Sequence, residues 1–424
     1  MTETSAILDA VDQLHEAQVA FLSALVKTPS DNPPGDCAHH ADLTAGLLEA
    51  LGLSVERYPV PEELVHAQGM ISATNLIVRR RFGPGPTVVL NAHGDVVPPG
   101  EGWSADPYGA EIRDGVMYGR GVAVSKSDFA TYAFALLALI KSGVELAGAV
   151  ELHFTYDEEA GGLLGPGWLL SEALTKPDFA ISAGFTYNIV VAHNGCLHLE
   201  VRIEGKSAHA AMPDSGVDAL EAATRLLASL YVLRESYKAT RSAVAGIDHP
   251  TLVVGLIHGG VNTNVVPDVV TLRLDRRIVP EENPEAVEGD LRAHIEAVCK
   301  DAPGISIEIR RILLAMPLQP QPGQQKLVEI LQRHARRVIG VDVPANGVPL
   351  YTDARHYSAA GIPTVLYGAG PRTLLEANGH RADEQLVLDD LRKATTIIAL
   401  SVSELLSGRE DVPPGSDKMK TRTA

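Results

Sequence analysis

The spacing of apolar residues changes twice along this chain, and that change limits the architecture more than any single motif. Upstream of Gly195, short apolar runs at Asn75–Val78, Thr87–Leu90 and Val150–Phe154 alternate with helical stretches. One such stretch covers residues 5–27, with Ile7, Val11, Leu14, Val19, Leu22 and Leu25 at helical spacing, and another covers Phe129–Ile140. Short buried strands joined by helices predict βαβ units and a mainly parallel sheet flanked by helices. From Cys196 the pattern becomes alternating. A strand at Cys196–Ile203 is followed by a turn at His209–Pro213, a helix at Ala219–Leu233 and strands at Thr251–Ile257 and Asp268–Arg276. A helix at Pro284–Cys299 and a strand at Ser306–Arg311 complete the stretch. The order strand–helix–strand–strand–helix–strand predicts a ferredoxin-like α+β unit. The α/β pattern then resumes, with Thr364–Tyr367 and a closing helix at Leu386–Leu406. At 424 residues two cores are expected. They are assigned to a discontinuous α/β domain of residues 1–195 and 312–424 and an inserted α+β domain of residues 196–311. The polar tail after Gly408 reads as disordered.

Charge and cysteine content remove several classes of function. Asp and Glu number 53 against 36 Lys and Arg, a formal charge of −17, and no basic block relieves it. Such a field repels a phosphate backbone, which excludes nucleic acid as the partner while leaving room for a small anion at a local arginine. The longest apolar runs, Tyr132–Ile140 and Thr396–Val402, fall far short of the roughly 18 residues of a membrane span. Met1–Asp9 carries acids and no basic leader, so no signal peptide is expected and a cytoplasmic location follows by default. Cys37, Cys196 and Cys299 lie far apart without a Cys-x-x-Cys pair, which argues against a disulfide framework and against a thiolate metal site.

Three short motifs carry chemistry. The run Val88–Pro98 delivers His93 and Asp95 at the C-terminal end of a strand, where open α/β sheets place their sites. An imidazole there can bind a metal through one nitrogen while a carboxylate fixes the other N–H; a histidine merely satisfied by a nearby acid fits as well. Asp157-Glu158-Glu159 leaves the next buried run and is followed by glycines. Three successive acids there repel one another unless a cation offsets them, and one glutamate can ligate while its neighbour serves as general base. The third motif, Asn378–Glu384, contributes His380 ahead of the last helix.

The ordered set resembles one family. It comprises His93-x-Asp95, Trp103…Asp106-Pro107, Gly119-Arg120-Gly121, Asp157-Glu158-Glu159, Gly205-Lys206-Ser207-Ala208-His209…Pro213, Asn264-Val265-Val266-Pro267-Asp268 and His380. It is similar to the zinc hydrolases that include aminoacylase, acetylornithine deacetylase, succinyl-diaminopimelate desuccinylase and glutamate carboxypeptidase. The resemblance implies a metal-dependent catalytic domain with an inserted lid or dimerisation domain, and a homodimer formed through that lid. It implies His93, Glu159 and His380 as metal ligands, Asp95 orienting His93, and Glu158 as general base. His209 and Asn264 would meet the substrate or a developing oxyanion from the lid, the histidine from a partner subunit. The substrate would be a small molecule bearing a carboxylate, for which Arg277, Arg355 and the backbone at Gly368–Gly370 are candidates.

Two family ligands are missing. Val124 stands where the family has an aspartate bridging two metals about 3.5–4 Å apart, and Ala183 or Gly184 stands where it has an acid. One reading is a non-catalytic binding relative. A second restores two metals through Asp128, Asp178, Asp157 or Ser125. A third, preferred because it invents no ligand, places one zinc or manganese per chain on His93, Glu159 and His380. The bond cleaved would be the amide of an N-acyl amino acid or dipeptide-like molecule. A site with fewer anionic ligands also admits an aminohydrolase of an activated aromatic amine, such as a nitroanthranilate-like compound.

Overall fold

The computed structural model describes residues 2–300, 302–373 and 375–407, so the tail after Gly408 lies outside the described residues. Its larger sheet has eight strands in the order Val55–Pro59, Thr74–Arg81, Ala149–Thr155, Thr87–His93, Phe179–Ser182, Thr364–Leu366, Ile189–His193, Ala345–Val348. The four strands from Ala149–Thr155 to Thr364–Leu366 run parallel to one another. Thr74–Arg81 pairs antiparallel with both its neighbours, so the sheet is mixed at that edge and mainly parallel in the middle.

Burial on both faces explains the continuous apolar runs. Val88, Leu90 and Ala92 join a large core with the helices Glu3–Val26, Lys126–Ser142, Gln324–Ile339 and Leu388–Leu405. Val89, one residue out of phase, packs on the opposite face with Ala180, Tyr357 and Ile362. The strand Ala149–Thr155 is buried throughout yet holds Glu151 and His153. Their polar atoms are matched: Glu151 accepts from Arg79 at 2.5 Å and from Thr175 at 2.7 Å, and the His153 ring faces Glu151 at 3.0 Å and the Tyr357 hydroxyl at 2.8 Å. Parallel strands ending on one side bring His93, the turn after Thr155, the turn after Ser182 and the loop before Ala354 to one edge.

The middle of the chain builds a separate sheet with its own core. Strands Thr251–Gly259, Val269–Ile278, Gly195–Glu204 and Ser306–Ala315 lie side by side in that order, each antiparallel to its neighbour. Leu197, Leu199, Val201 and Ile203 point to one face and pack on Leu226, Leu230, Leu291 and Ile295 of the helices Ala219–Tyr237 and Pro284–Lys300. Alternation places Cys196, His198 and Glu200 on the other face. A third sheet of Gln385–Val387, Val116–Tyr118 and Glu111–Arg113 joins the segment after His380 to the one before Gly119.

Candidate active site

His93 is the last residue of its strand, and the fully buried Asp95 follows it in the exit loop. The Asp95 carboxylate accepts from Asn32 Nδ2 at 2.9 Å and from the backbone N–H groups of Glu158 at 3.2 Å and Glu159 at 3.1 Å. One side chain therefore ties the His93 loop to the acidic turn and orients both. His93 Nδ1 faces the Asp95 carbonyl oxygen at 3.0 Å and its Oδ1 at 3.3 Å. With the proton assigned to Nδ1, Nε2 carries its lone pair toward Glu158 Oε2, 4.0 Å away.

Glu158–Ala160 forms one turn of 3₁₀ helix, which sets the two glutamates side by side. A ring nitrogen of His93 and carboxylate oxygens of Glu158 and Glu159 all lie within 4.8 Å of one another. His380 Nε2 stands 3.4 Å from Glu159 Oε1, which is buried and makes no hydrogen bond among the described residues. Such an orphaned oxygen beside two imidazoles is what a cation would satisfy. The surrounding acids make the same point. Burial pushes Glu158 up to about 8, His93 offsets part of this, and Glu159 and Asp95 add to it. Asp353 is pushed up to about 8 by burial and by Glu158, and Asp157 is raised by burial and by Asp353. Carboxyls this crowded are held ionised only by positive charge. The donor set of two imidazoles and a carboxylate suits zinc or manganese.

The cluster forms one wall of a cavity of about 260 Å³. Val124, Ala183, Phe185, Val348, Leu350 and Leu366 also line it, so the two positions that lack family ligands are part of an apolar surface. Arg277 is the arginine on that lining, held by Asp275 at 3.0 and 3.1 Å and lying over the Tyr351 ring at 5.6 Å. Of the substitute ligands considered above, Ser125 and Asp128 reach the cavity. Ser125 Oγ is engaged with the His93 backbone, and both Asp128 oxygens accept backbone N–H groups, from Ala369 at 2.7 Å and Gly184 at 3.2 Å. Burial raises Asp128 to about 7. Asp157 is turned toward Leu164, and Asp178 caps the other end of the strand at Thr87.

The remaining expected residues are placed differently. Arg355 is buried behind the site with Nη2 donating to the Gly161 carbonyl, and it is absent from the cavity wall. At Gly368–Gly370 the Ala369 and Gly370 N–H groups are spent on Asp128 and on the Gly184 carbonyl, and Gly368 leaves no room for a side chain against Asp128. Neither Arg355 nor that backbone lines the cavity: Arg355 is buried away from it with Nη2 on Gly161, and the Ala369 and Gly370 N–H groups have tertiary partners. His209 and Asn264 are brought together, with the Ala210 N–H on the Asn264 carbonyl at 3.0 Å, but both are exposed and neither lines the cavity.

Sequence reading missed three residues. Asn32 holds Asp95. Asp353 faces the cavity from the segment where Arg355 drew attention. Glu384 is fully buried, accepts from Arg120 at 2.6 Å and from the N–H groups of Ala123 and Val124 at 3.0 Å, and so shapes the loop carrying Val124. Its place in the same motif as His380 was the available signal.

A model of peptidase family M20/M25/M40 matches residues 89–404. The chain is 30% identical over 295 residues to an acetylornithine deacetylase of Photorhabdus laumondii subsp. laumondii, covering 69% of this chain and 74% of that one. It is 29% identical over 344 residues to a succinyl-diaminopimelate desuccinylase of Thioalkalivibrio sulfidiphilus, covering 77% and 86%. Among solved structures, the di-peptidase Dug1p from Saccharomyces cerevisiae shares the fold with a TM-score of 0.81 at 16% identity, over 97% of this chain and 100% of that one.

Proposed function

As a member of peptidase family M20/M25/M40 the chain is a hydrolase of carbon–nitrogen bonds, and we propose that it cleaves the amide of an N-acyl amino acid or dipeptide-like small molecule with Glu158 as general base. The observation that carries this reading is the convergence of His93, Glu158 and Glu159 within 4.8 Å, with His380 against Glu159. His93, Glu159 and His380 would hold one zinc or manganese ion per chain, which supplies Lewis acidity to the site.

The chain's own residues do the rest. Asp95 fixes the His93 tautomer and presents the glutamate turn. Glu158, unused as a ligand, takes the proton of the attacking water and returns it to the departing nitrogen. Arg277, the arginine on the cavity lining, would receive a substrate carboxylate through the Nη1 it does not spend on Asp275, and the wall of Val124, Ala183 and Leu366 receives an apolar body. That wall also favours a second reading, in which an aromatic amine lies flat against it and loses its amino group to the same base. Residues 196–311 are read as a ferredoxin-like lid and dimerisation domain, whose exposed His209 and Asn264 serve the partner's site.

Glu158→Gln should lower turnover by about 10²–10⁴-fold with metal content unchanged, since the amide keeps the shape and cannot accept a proton. Glu159→Gln should instead lose metal. Assay against N-acyl amino acids, dipeptides and aromatic amines, beside elemental analysis, checks both; near-full activity in Glu158→Gln would refute its role.

A further inference from the structure

Outside the active site, Cys196, His198 and Asp275 form a second group whose ligand atoms all lie within 4.8 Å of one another. From this we infer that the inserted sheet carries a separate site for a borderline divalent transition cation, zinc first. The sheet register builds it. Cys196 and His198 are two residues apart on one strand, and Asp275 lies directly across from His198, so all three side chains share the face turned away from the helices.

The three separations lie within about 0.5 Å of those a bound metal imposes, so small side-chain shifts would close the group on one. Cys196 Sγ to His198 Nε2 is 3.1 Å, His198 Nε2 to Asp275 Oδ2 is 3.2 Å, and Sγ to Asp275 Oδ1 is 3.7 Å. A tetrahedral zinc with ordinary bond lengths to sulfur, nitrogen and oxygen separates its ligands by about 3.3–3.6 Å. The same ring nitrogen faces both partners. It can donate to the carboxylate or accept from the thiol, never both, whereas a cation takes a lone pair from each of the three. Cys196 is buried, and His198 and Asp275 are about one-third exposed, which leaves an entry path and a fourth position open to solvent. A thiol with an imidazole selects against magnesium and calcium.

Asp275 is already oriented for this role. Arg277 Nε and Nη2 approach its two oxygens at 3.0 and 3.1 Å, and each oxygen keeps a lone pair for a metal. Because Arg277 also lines the substrate cavity, a cation on Asp275 would stiffen the one arginine expected to meet a substrate anion. The spacing of the cysteines gave no hint of this, because a cross-strand partner supplies what a Cys-x-x-Cys pair would.

Cobalt(II) titrated into full-length, metal-free protein is the probe. The active site holds no thiol, so binding there gives no thiolate-to-cobalt charge-transfer band in the near ultraviolet. A further equivalent at the new site should give one. Cys196→Ser should abolish the band while the first equivalent still binds, and Cys37→Ser and Cys299→Ser should retain it. His198→Ala, a partly exposed change that leaves the thiol and the fold in place, should weaken that equivalent roughly tenfold or more. Glu159→Gln should lose the active-site equivalent and keep the band, so the two sites succeed or fail separately. A wild-type protein that saturates with no thiolate band, or a band that survives Cys196→Ser, overturns the site.

Discussion

At the scale of single residues, the site is organised by Asp95 and altered by Val124. Asp95 uses its carboxylate to collect the N–H groups of both glutamates, so a loop and a turn 63 and 64 residues apart share one anchor. Val124 puts an apolar surface where the family resemblance calls for a carboxylate, and its own N–H is fixed by Glu384. Val124→Asp would therefore place a new acid facing Glu158 and Glu159. Their repulsion raises at least one pKa when no second cation is present. With Ala183 and Gly184 unable to ligate, a second metal would bind weakly, and native activity should fall, with added metal restoring only part. Metal stoichiometry against free metal decides this. Tight binding of two ions with faster turnover in Val124→Asp would show that the single-metal mechanism is wrong.

At the scale of elements, the loops matter more than the strands they leave. The Gly119–Ser125 loop is held from the far end of the chain: Glu384 pairs with Arg120 264 residues away, both nearly or wholly buried, and caps Ala123 and Val124. Glu384→Gln keeps the shape but leaves the Arg120 charge buried without its counter-ion. Removing one partner of such a pair costs about 3–5 kcal/mol. The expected result is a lower melting temperature in metal-free protein and weaker metal binding through displacement of the His380 segment. A variant with the parent's melting temperature would mean that solvent reaches Arg120 in solution. The strands themselves were legible where burial made them continuous, as at Thr87–His93, whereas Val55–Pro59, Ile189–His193 and Ala345–Val348 were not. Those are edge or near-edge strands whose pairing depends on neighbours far along the chain.

At the scale of the whole molecule, burial of neutral histidines ties stability to pH. Burial lowers the pKa of His40 and His153, and lowers His193 to about 4 and His356 to about 3. Unfolding returns each to about 6.5, so below that value the unfolded chain binds more protons than the folded one. Stability is then fully present above about pH 6.5 and falls as pH drops through it toward the folded values, by up to roughly 1.4 kcal/mol per pH unit for each histidine. In metal-free protein the raised carboxyls of Glu158, Asp353, Asp128 and Asp157 act in the opposite sense. The histidine contribution is therefore read as the difference between the pH profiles of the parent and a His356→Gln variant under denaturant unfolding; superimposable profiles would show that this ring is hydrated. Assembly is tested separately. His209 is exposed and absent from its own chain's cavity. Mixing inactive His209→Ala and Glu158→Gln subunits should regain activity if the histidine works in trans, and no recovery would mean that each chain acts alone.

The alternation of buried strands with helices, the inserted alternating stretch and the two motifs at strand ends were determined by the sequence alone. His93, Asp95, Glu158 and Glu159 sit beside hydrophobic runs whose burial is a local property of the chain. What only the tertiary structure decided is which polar groups remain free. Arg355 looked available but is buried away from the cavity with Nη2 on Gly161, and the Ala369 N–H is spent on Asp128, while Arg277 keeps a place on the cavity wall. Asn32, Asp353 and Glu384 gained their roles the same way, and so did the convergence of Cys196 and His198 on Asp275. A buried polar group must find a partner, and that partner is set by packing across tens to hundreds of residues, which no local pattern records.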